Sequence, residues 1–200
     1  MKVIFLDNDG VICLSNNWGG RYKKQRKVYT KNNPRPMQNE LPVDLRFDDF
    51  DKKSIKVLNN ILKESGAEIV VSSDWRYHAT LDELGEYYEE QGIIKKPISV
   101  TDRCGDISWV EKGVIPPDFP WTRDEHLEQQ RHFEIKKWLG EHPEVTHWVA
   151  IDDLNMGKTF KDYRGEIERN WGLDNFVLTP KISEGIKQCG IKEKILSFLK

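Results

Sequence analysis

The sequence predicts an α/β domain, a parallel sheet with helices on both faces, and three observations carry that prediction. Short apolar runs rich in β-branched and aromatic residues recur along the chain. Each run stops at polar residues. Stretches with helical periodicity fill the gaps between them, the alternation expected of strand–helix–strand units.

Val3-Ile4-Phe5-Leu6 is the first run, and it ends at the turn signal Asp7-Asn8-Asp9-Gly10. A continuous apolar run of this length reads as a strand buried on both faces. Ile69-Val70-Val71 ends at Ser72-Ser73, Trp148-Val149-Ala150-Ile151 at Asp152-Asp153, and Phe176-Val177-Leu178 at Thr179-Pro180. Between them, Ile55, Leu58, Ile61 and Leu62 make an apolar helical stripe before the second strand, and Leu81, Leu84, Tyr87 and Tyr88 make another after it. Phe133, Ile135, Trp138 and Leu139 predict a helix before the third strand, with Gly140 and Pro143 as its stop signals. Residues 183 to 199 close the chain as a helix in which Gly190 is a break point. Residues 14 to 46 and 95 to 123 hold Gly, Asn and Pro with little periodicity, and read as loop-rich insertions near a site.

A chain of 200 residues is expected to be a single domain spanning 1–200, large enough to bury a core without staples. Its 31 basic and 33 acidic side chains leave a net charge of −2, so a polyanionic partner must be read from local clusters. One exists: Arg21, Lys23, Lys24, Arg26, Lys27, Lys31 and Arg35, with Tyr22 and Tyr29 interleaved and no acid among them. It makes residues 14–46 a basic flap, read either as a solvated segment or as an arm that tracks phosphates. Cys13, Cys104 and Cys189 are odd in number and scattered without CxxC spacing, so neither a disulfide framework nor a zinc knuckle is suggested, and a cytoplasmic compartment fits. No run approaches the roughly 20 apolar residues of a membrane span. The five histidines lack metal-ligand spacing.

Open parallel sheets bind ligands outside the carboxyl ends of their strands. The strand tips here would gather Asp7, Asp9, Ser72, Asp152 and Asp153 in one crevice. Converging carboxylates repel unless a proton or cation intervenes, and a hard, oxygen-ligated cation such as Mg2+ answers that need. Taken singly, each element has a plainer reading. Asp-Asn-Asp-Gly is also a turn, Ser72 also a helix cap, Asp152-Asp153 also a cap or turn, and Arg131 also a solvated helix residue; the inference rests on their joint occurrence.

Val3-Ile4-Phe5-Leu6-Asp7-Asn8-Asp9-Gly10-Val11 resembles the hhhhDxDGV signature of the haloacid-dehalogenase (HAD) superfamily of phosphatases. Ser72 after its apolar run resembles the second motif of that superfamily, and Ile151-Asp152-Asp153 its fourth. Arg131 stands where the third motif places a Lys or Arg, with Lys136 and Lys137 as competitors. The resemblance covers nearly the whole chain in order. More narrowly, Ser72-Ser73-Asp74-Trp75-Arg76 together with Arg131…Glu134-Ile135 is similar to HAD domains of nucleic-acid end repair, the polynucleotide kinase 3′-phosphatase type; Arg76 lies two residues further from Ser72 than in that element.

The resemblance implies a Rossmann-like, HAD-like sheet with a small or absent cap, and a phosphomonoester hydrolase working through an aspartyl-phosphate. It implies Asp7 as nucleophile, Asp9 as general acid and base, Ser72 as a phosphoryl hydrogen-bond donor and Arg131 as the offsetting cation. Magnesium would be held by Asp7, the backbone carbonyl of Asp9, and Asp153, with Asp152 in support. Ser73, Arg76, Lys23 and Lys24 are expected to contact substrate. The preferred substrate is a nucleic-acid 3′-phosphate end. The alternatives are a nucleotidase or small-metabolite phosphatase and, from another class, a catalytically silent nucleic-acid-binding module.

Overall fold

The computed structural model describes residues 1–103, 123–157, 160–161, 168–169 and 172–200. All four strands expected from the apolar runs form: β1 (Lys2–Leu6), β2 (Glu68–Val71), β4 (His147–Asp152) and β7 (Phe176–Leu178). A short fifth, β3 (Ser99–Val100), joins them. The sheet runs β3-β2-β1-β4-β7, and every pairing in it is parallel. From β1 the chain first builds outward through β2 to β3, then crosses to the other side for β4 and β7. The strand order therefore reverses between β1 and β4, and a crevice opens at their carboxyl ends. A separate antiparallel pair, β5 (Phe160–Lys161) and β6 (Glu168–Arg169), lies outside this sheet.

Alternate β1 residues point to opposite faces, as strand geometry dictates. Ile4 and Leu6 enter one core with Ile69, Val71, Val149 and Ile151; Val3 and Phe5 enter another with Val70 and Ala150. The first core is covered by α3 (Lys52–Ser65), α4 (Leu81–Glu90) and α6 (Ile191–Phe198). α3 buries Ile55, Leu58, Ile61 and Leu62, the expected stripe. Its ends are fixed by the Asp51 side chain, which accepts from the Ser54 N–H, and by left-handed Gly66. In α4 the Thr80 and Glu83 side chains form a capping box. The second core is covered by α5 (Arg123–Glu141), through Ile135 and Trp138. Trp138 meets Phe5 edge-on, ring centroids 5.3 Å apart.

Four expectations need correction. Residues 14–46 are not loop throughout: α1 (Gly20–Val28) and the single-turn α2 (Val43–Arg46) form inside them. α5 continues through Gly140 rather than stopping there, and Phe133, placed in its apolar stripe, is 42% exposed. The closing helix starts only at Ile191, after left-handed Gly190. Of the expected insertion at 95–123, residues 104–122 lie outside the described residues.

Candidate active site

The parallel ladder runs one step beyond β1 and β2 and so fixes the first residues past the strand tips. The Asp7 N–H donates to the Ile151 carbonyl at 3.0 Å, and the Ser72 N–H to the Leu6 carbonyl at 2.9 Å. Asp7 continues the parity of Val3 and Phe5, so its side chain emerges on the α5 side of the sheet. On α5, Arg131 shares a face with Ile135 and Trp138 at i, i+4 and i+7, and apolar packing of those two delivers its guanidinium to the strand tips. Nη1 donates to Asp7 Oδ1 at 3.1 Å, to Asp152 Oδ2 at 3.1 Å and to the Ser72 carbonyl; Nη2 donates to Asp74 Oδ1 at 2.9 Å. Lys136 is exposed, and Lys137 pairs with Asp102 at the surface, 3.4 Å away. Helical phase thus separates Arg131 from its two competitors.

Asp7, Asp152 and Asp153 each turn one carboxylate oxygen toward a common point, all within 4.8 Å of one another. Burial raises the Asp7 pKa well above the usual carboxylate value; the charge of Asp152 adds to the rise, and Arg131 opposes it. Burial likewise pushes Asp152 up to about 7 and raises Asp153. Arg131 is lowered by burial, but Asp152, Asp7 and Asp74 outweigh that and hold it above its ordinary value. One guanidinium does not neutralise three carboxyls. The donor set is all oxygen and anionic, which suits a hard divalent cation and not a soft one. Gly10 makes the arrangement possible: it sits at φ +69°, and a Cβ there would lie 2.5 Å from Asp153 Oδ2.

Asp9 stands apart from that cluster. Its Oδ2 accepts from the Trp75 indole N–H at 2.8 Å. Burial raises its pKa, and the indole hydrogen bond partly offsets the rise. Trp75 is stacked on Phe47, ring centroids 4.2 Å apart at 6°. Between the two acidic residues, the Asn8 carbonyl accepts from the Val11, Ile12 and Cys13 N–H groups, and Asn8 Oδ1 accepts from the Tyr88 hydroxyl at 2.5 Å. The Asp7–Asp9 turn is therefore held from outside and from within. The hydroxyls of Ser72 and Ser73 are buried without a hydrogen-bond partner. They cap no helix turn, and an orphan buried hydroxyl is suited to a ligand oxygen.

The other expected contacts fare differently. Arg76 is drawn inward by the single turn Asp74–Tyr77 and forms an ion pair with Glu134 at 2.5 Å, its side chain only 3% exposed. Lys24 pairs with Asp49 at 2.9 Å, and Lys23 is exposed. Arg21 lines the crevice beside Asp9 with Trp18, Tyr22 and Asp48, and Arg46 lines its Trp75 side. Sequence reading did not single out Arg21 from its run; its phase on α1, one residue before Tyr22, was the available signal. Asp48 carried none.

Residues 3–186 match a family described as the HAD domain in Swiss Army Knife RNA repair proteins. The chain belongs to that family. Neither a curated protein nor a solved structure matches it. A HAD domain linked to RNA repair accounts for the parallel sheet, the order of the motifs and the acidic cluster, and HAD domains generally use Mg2+. Among the described residues, no helix of this HAD domain is long and apolar enough to cross a membrane.

Proposed function

We propose that this HAD domain is a magnesium-dependent phosphomonoesterase that removes terminal 3′-phosphates from nucleic-acid ends, RNA above all. The observation that carries the reading is the convergence of Asp7, Asp152 and Asp153 at the strand tips with Arg131 beside them. The family supports the end-repair substrate.

Asp7, oriented by Arg131 through Oδ1, attacks phosphorus, and the P–O bond to the ribose breaks as the aspartyl-phosphate forms. Asp9 gives its proton to the departing ribose oxygen, then takes one from the water that hydrolyses the aspartyl-phosphate, a contribution of about 10²–10⁴-fold. Its Oδ2 is engaged by Trp75, which directs the mobile proton to Oδ1. The Ser72 hydroxyl donates to a phosphoryl oxygen, and Arg131 offsets charge shared between nucleophile and phosphate. Magnesium held by Asp7, Asp153, the Asp9 carbonyl and, in support, Asp152 would neutralise the carboxylates and polarise the phosphoryl group.

The test is a turnover screen with magnesium or with chelator, across 3′-phosphorylated oligonucleotides, 5′-phosphorylated ones, mononucleotides and sugar phosphates. Phosphate release from the 3′-phosphorylated arm, lost with chelator and in the nearly isosteric Asp7→Asn, is expected. Retained turnover in Asp7→Asn overturns the nucleophile. Preference for mononucleotides or sugar phosphates favours the small-substrate alternative, and binding without turnover favours a silent module.

A further inference from the structure

We infer that α1 carries a track for unpaired nucleotides leading into the crevice at Asp9, so that the end acted on is single-stranded. The inference rests on the end-phosphatase reading and adds how the strand is held. Two cavities meet at Tyr22. One, of about 400 Å³, is lined by Asp9, Trp18, Gly19, Arg21, Tyr22 and Asp48. The next, of about 500 Å³, is lined by Tyr22, Gln25, Arg26, Tyr29 and Arg35. Both volumes fall in the range of ligand sites. Tyr22 and Arg26 lie at i and i+4 on α1, and Tyr29, the extended residue that follows its last turn, lines the same cavity, so all three present one face to it. That face alternates ring, cation, ring, the pattern that tracks single strands by stacking and phosphate neutralisation.

The helix itself has no other evident reason to be where it is. Its one buried side chain is Gln25, whose amide donates to the Leu45 carbonyl at 2.6 Å. Asp48, distant in sequence, accepts from the Gly19 and Arg21 N–H groups at 3.1 and 2.6 Å and so caps its start. Trp18 and Tyr22 remain 46% and 48% exposed beside the crevice. No Asp or Glu occurs between Asp9 and Glu40. Within that span Arg21 meets Asp48 at 3.9 Å and Lys24 meets Asp49, whereas Lys23, Arg26, Lys27, Lys31 and Arg35 have no carboxylate partner among the described residues. A polyanion complements this surface.

At about 1.5 Å per residue, Tyr22 and Tyr29 lie roughly 10 Å apart along the helix, and at about 3.4 Å per stacked base that is space for roughly three nucleotides. A base-paired end offers only the outer face of its terminal pair, so it cannot stack successive bases on both rings.

The experiment measures kcat/KM for 3′-phosphorylated oligoribonucleotides of one to eight residues and for the same 3′ end inside a blunt duplex. Wild type, Tyr29→Ala, Tyr29→Phe and Arg26→Ala are compared. Expected are a rise of about tenfold or more that levels off near four nucleotides, and a similar penalty for the duplex. Tyr29→Ala should reduce the length advantage by roughly 5- to 100-fold, as loss of one stacking platform does, with Tyr29→Phe restoring it. Arg26→Ala should flatten the slope of log affinity against log salt by about 0.7. Equal kcat/KM at all lengths, or an undiminished length advantage in Tyr29→Ala, overturns the track. If no substrate releases phosphate, the phosphatase reading fails by itself. Fluorescence anisotropy of a labelled single strand then decides the track: weaker binding by Tyr29→Ala upholds it, equal binding overturns it.

Discussion

The indole of Trp75, flat against Phe47, does for Asp9 what Arg131 does for Asp7: it fixes one carboxyl oxygen. Trp75→Phe keeps an aromatic ring for the stack but removes the donor. General acid catalysis matters most for poor leaving groups, so this variant should slow hydrolysis of an alkyl phosphate at least tenfold more than that of p-nitrophenyl phosphate. Equal slowing of both would show that Trp75 does not position the acid. Gly10→Ala should instead act on the cation, because its Cβ would intrude on the Asp153 carboxylate. The magnesium concentration for half-maximal turnover is expected to rise severalfold or more. The convergence of Asp7, Asp152 and Asp153 was legible because they end apolar runs on neighbouring strands of a parallel sheet. Trp75 as the partner of Asp9 was not, since the two are brought together only by the sheet. Arg76 misled for the same reason: proximity to Ser72 in sequence says nothing of direction, and the turn at Asp74–Tyr77 aims it at Glu134.

Among the elements, α1 shows where periodicity stops being informative. A helix reveals itself in sequence by the apolar stripe it buries, and α1 buries only Gln25. It is anchored by a carboxylate from Asp48 and one amide contact, neither of which leaves a pattern. Loss of such a cap costs about 0.5–2 kcal/mol, and α1 has no apolar packing in reserve. Asp48→Ala should therefore speed tryptic cleavage at Arg21, Lys23, Lys24 and Lys27, read by mass spectrometry of the fragments, while cleavage within α3 is unchanged. An intact α1 under those conditions would mean that the cap is dispensable. α5 is the opposite case. Its phase was partly readable from Ile135 and Trp138, and the same phase points Arg131 at the strand tips while Lys136 faces solvent. Phe133 blurred that reading because an aromatic residue on the outward side counts, by composition, as core.

For the molecule as a whole, the acidic cluster couples stability to pH, and a cation held there would couple it to metal as well. Without metal, a carboxyl raised from 3.8 to about 7, as at Asp152, binds its proton more tightly in the folded chain. The stability this contributes is present at low pH and is lost as pH rises between those two values. His132 works the other way: burial lowers its pKa to about 4, so its contribution is lost as pH falls below the ordinary 6.5. Comparing melting temperatures in magnesium and in chelator at each pH cancels the histidine. The gain from magnesium is expected to be small near about pH 4 and to grow by several degrees toward about pH 8, because the cation displaces a proton only at the acid end. A gain that is the same at every pH, or no gain, would mean that the three carboxyls do not share a cation. Sheet order was never written in the runs themselves. Each apolar run announces a strand, but only the folded pairing puts β1 in the middle, between β2 and β4. That central place has a consequence for the nascent chain. The segment bearing Asp7 is made before one of its two neighbours, β4, which is translated only from His147 onward, and the loop behind it is gripped later still, by the Ile186 N–H on the Val11 carbonyl. Ribosome-bound or prematurely terminated products would expose an unpaired hydrophobic ribbon and lack the gathered carboxylates until translation has passed that stretch.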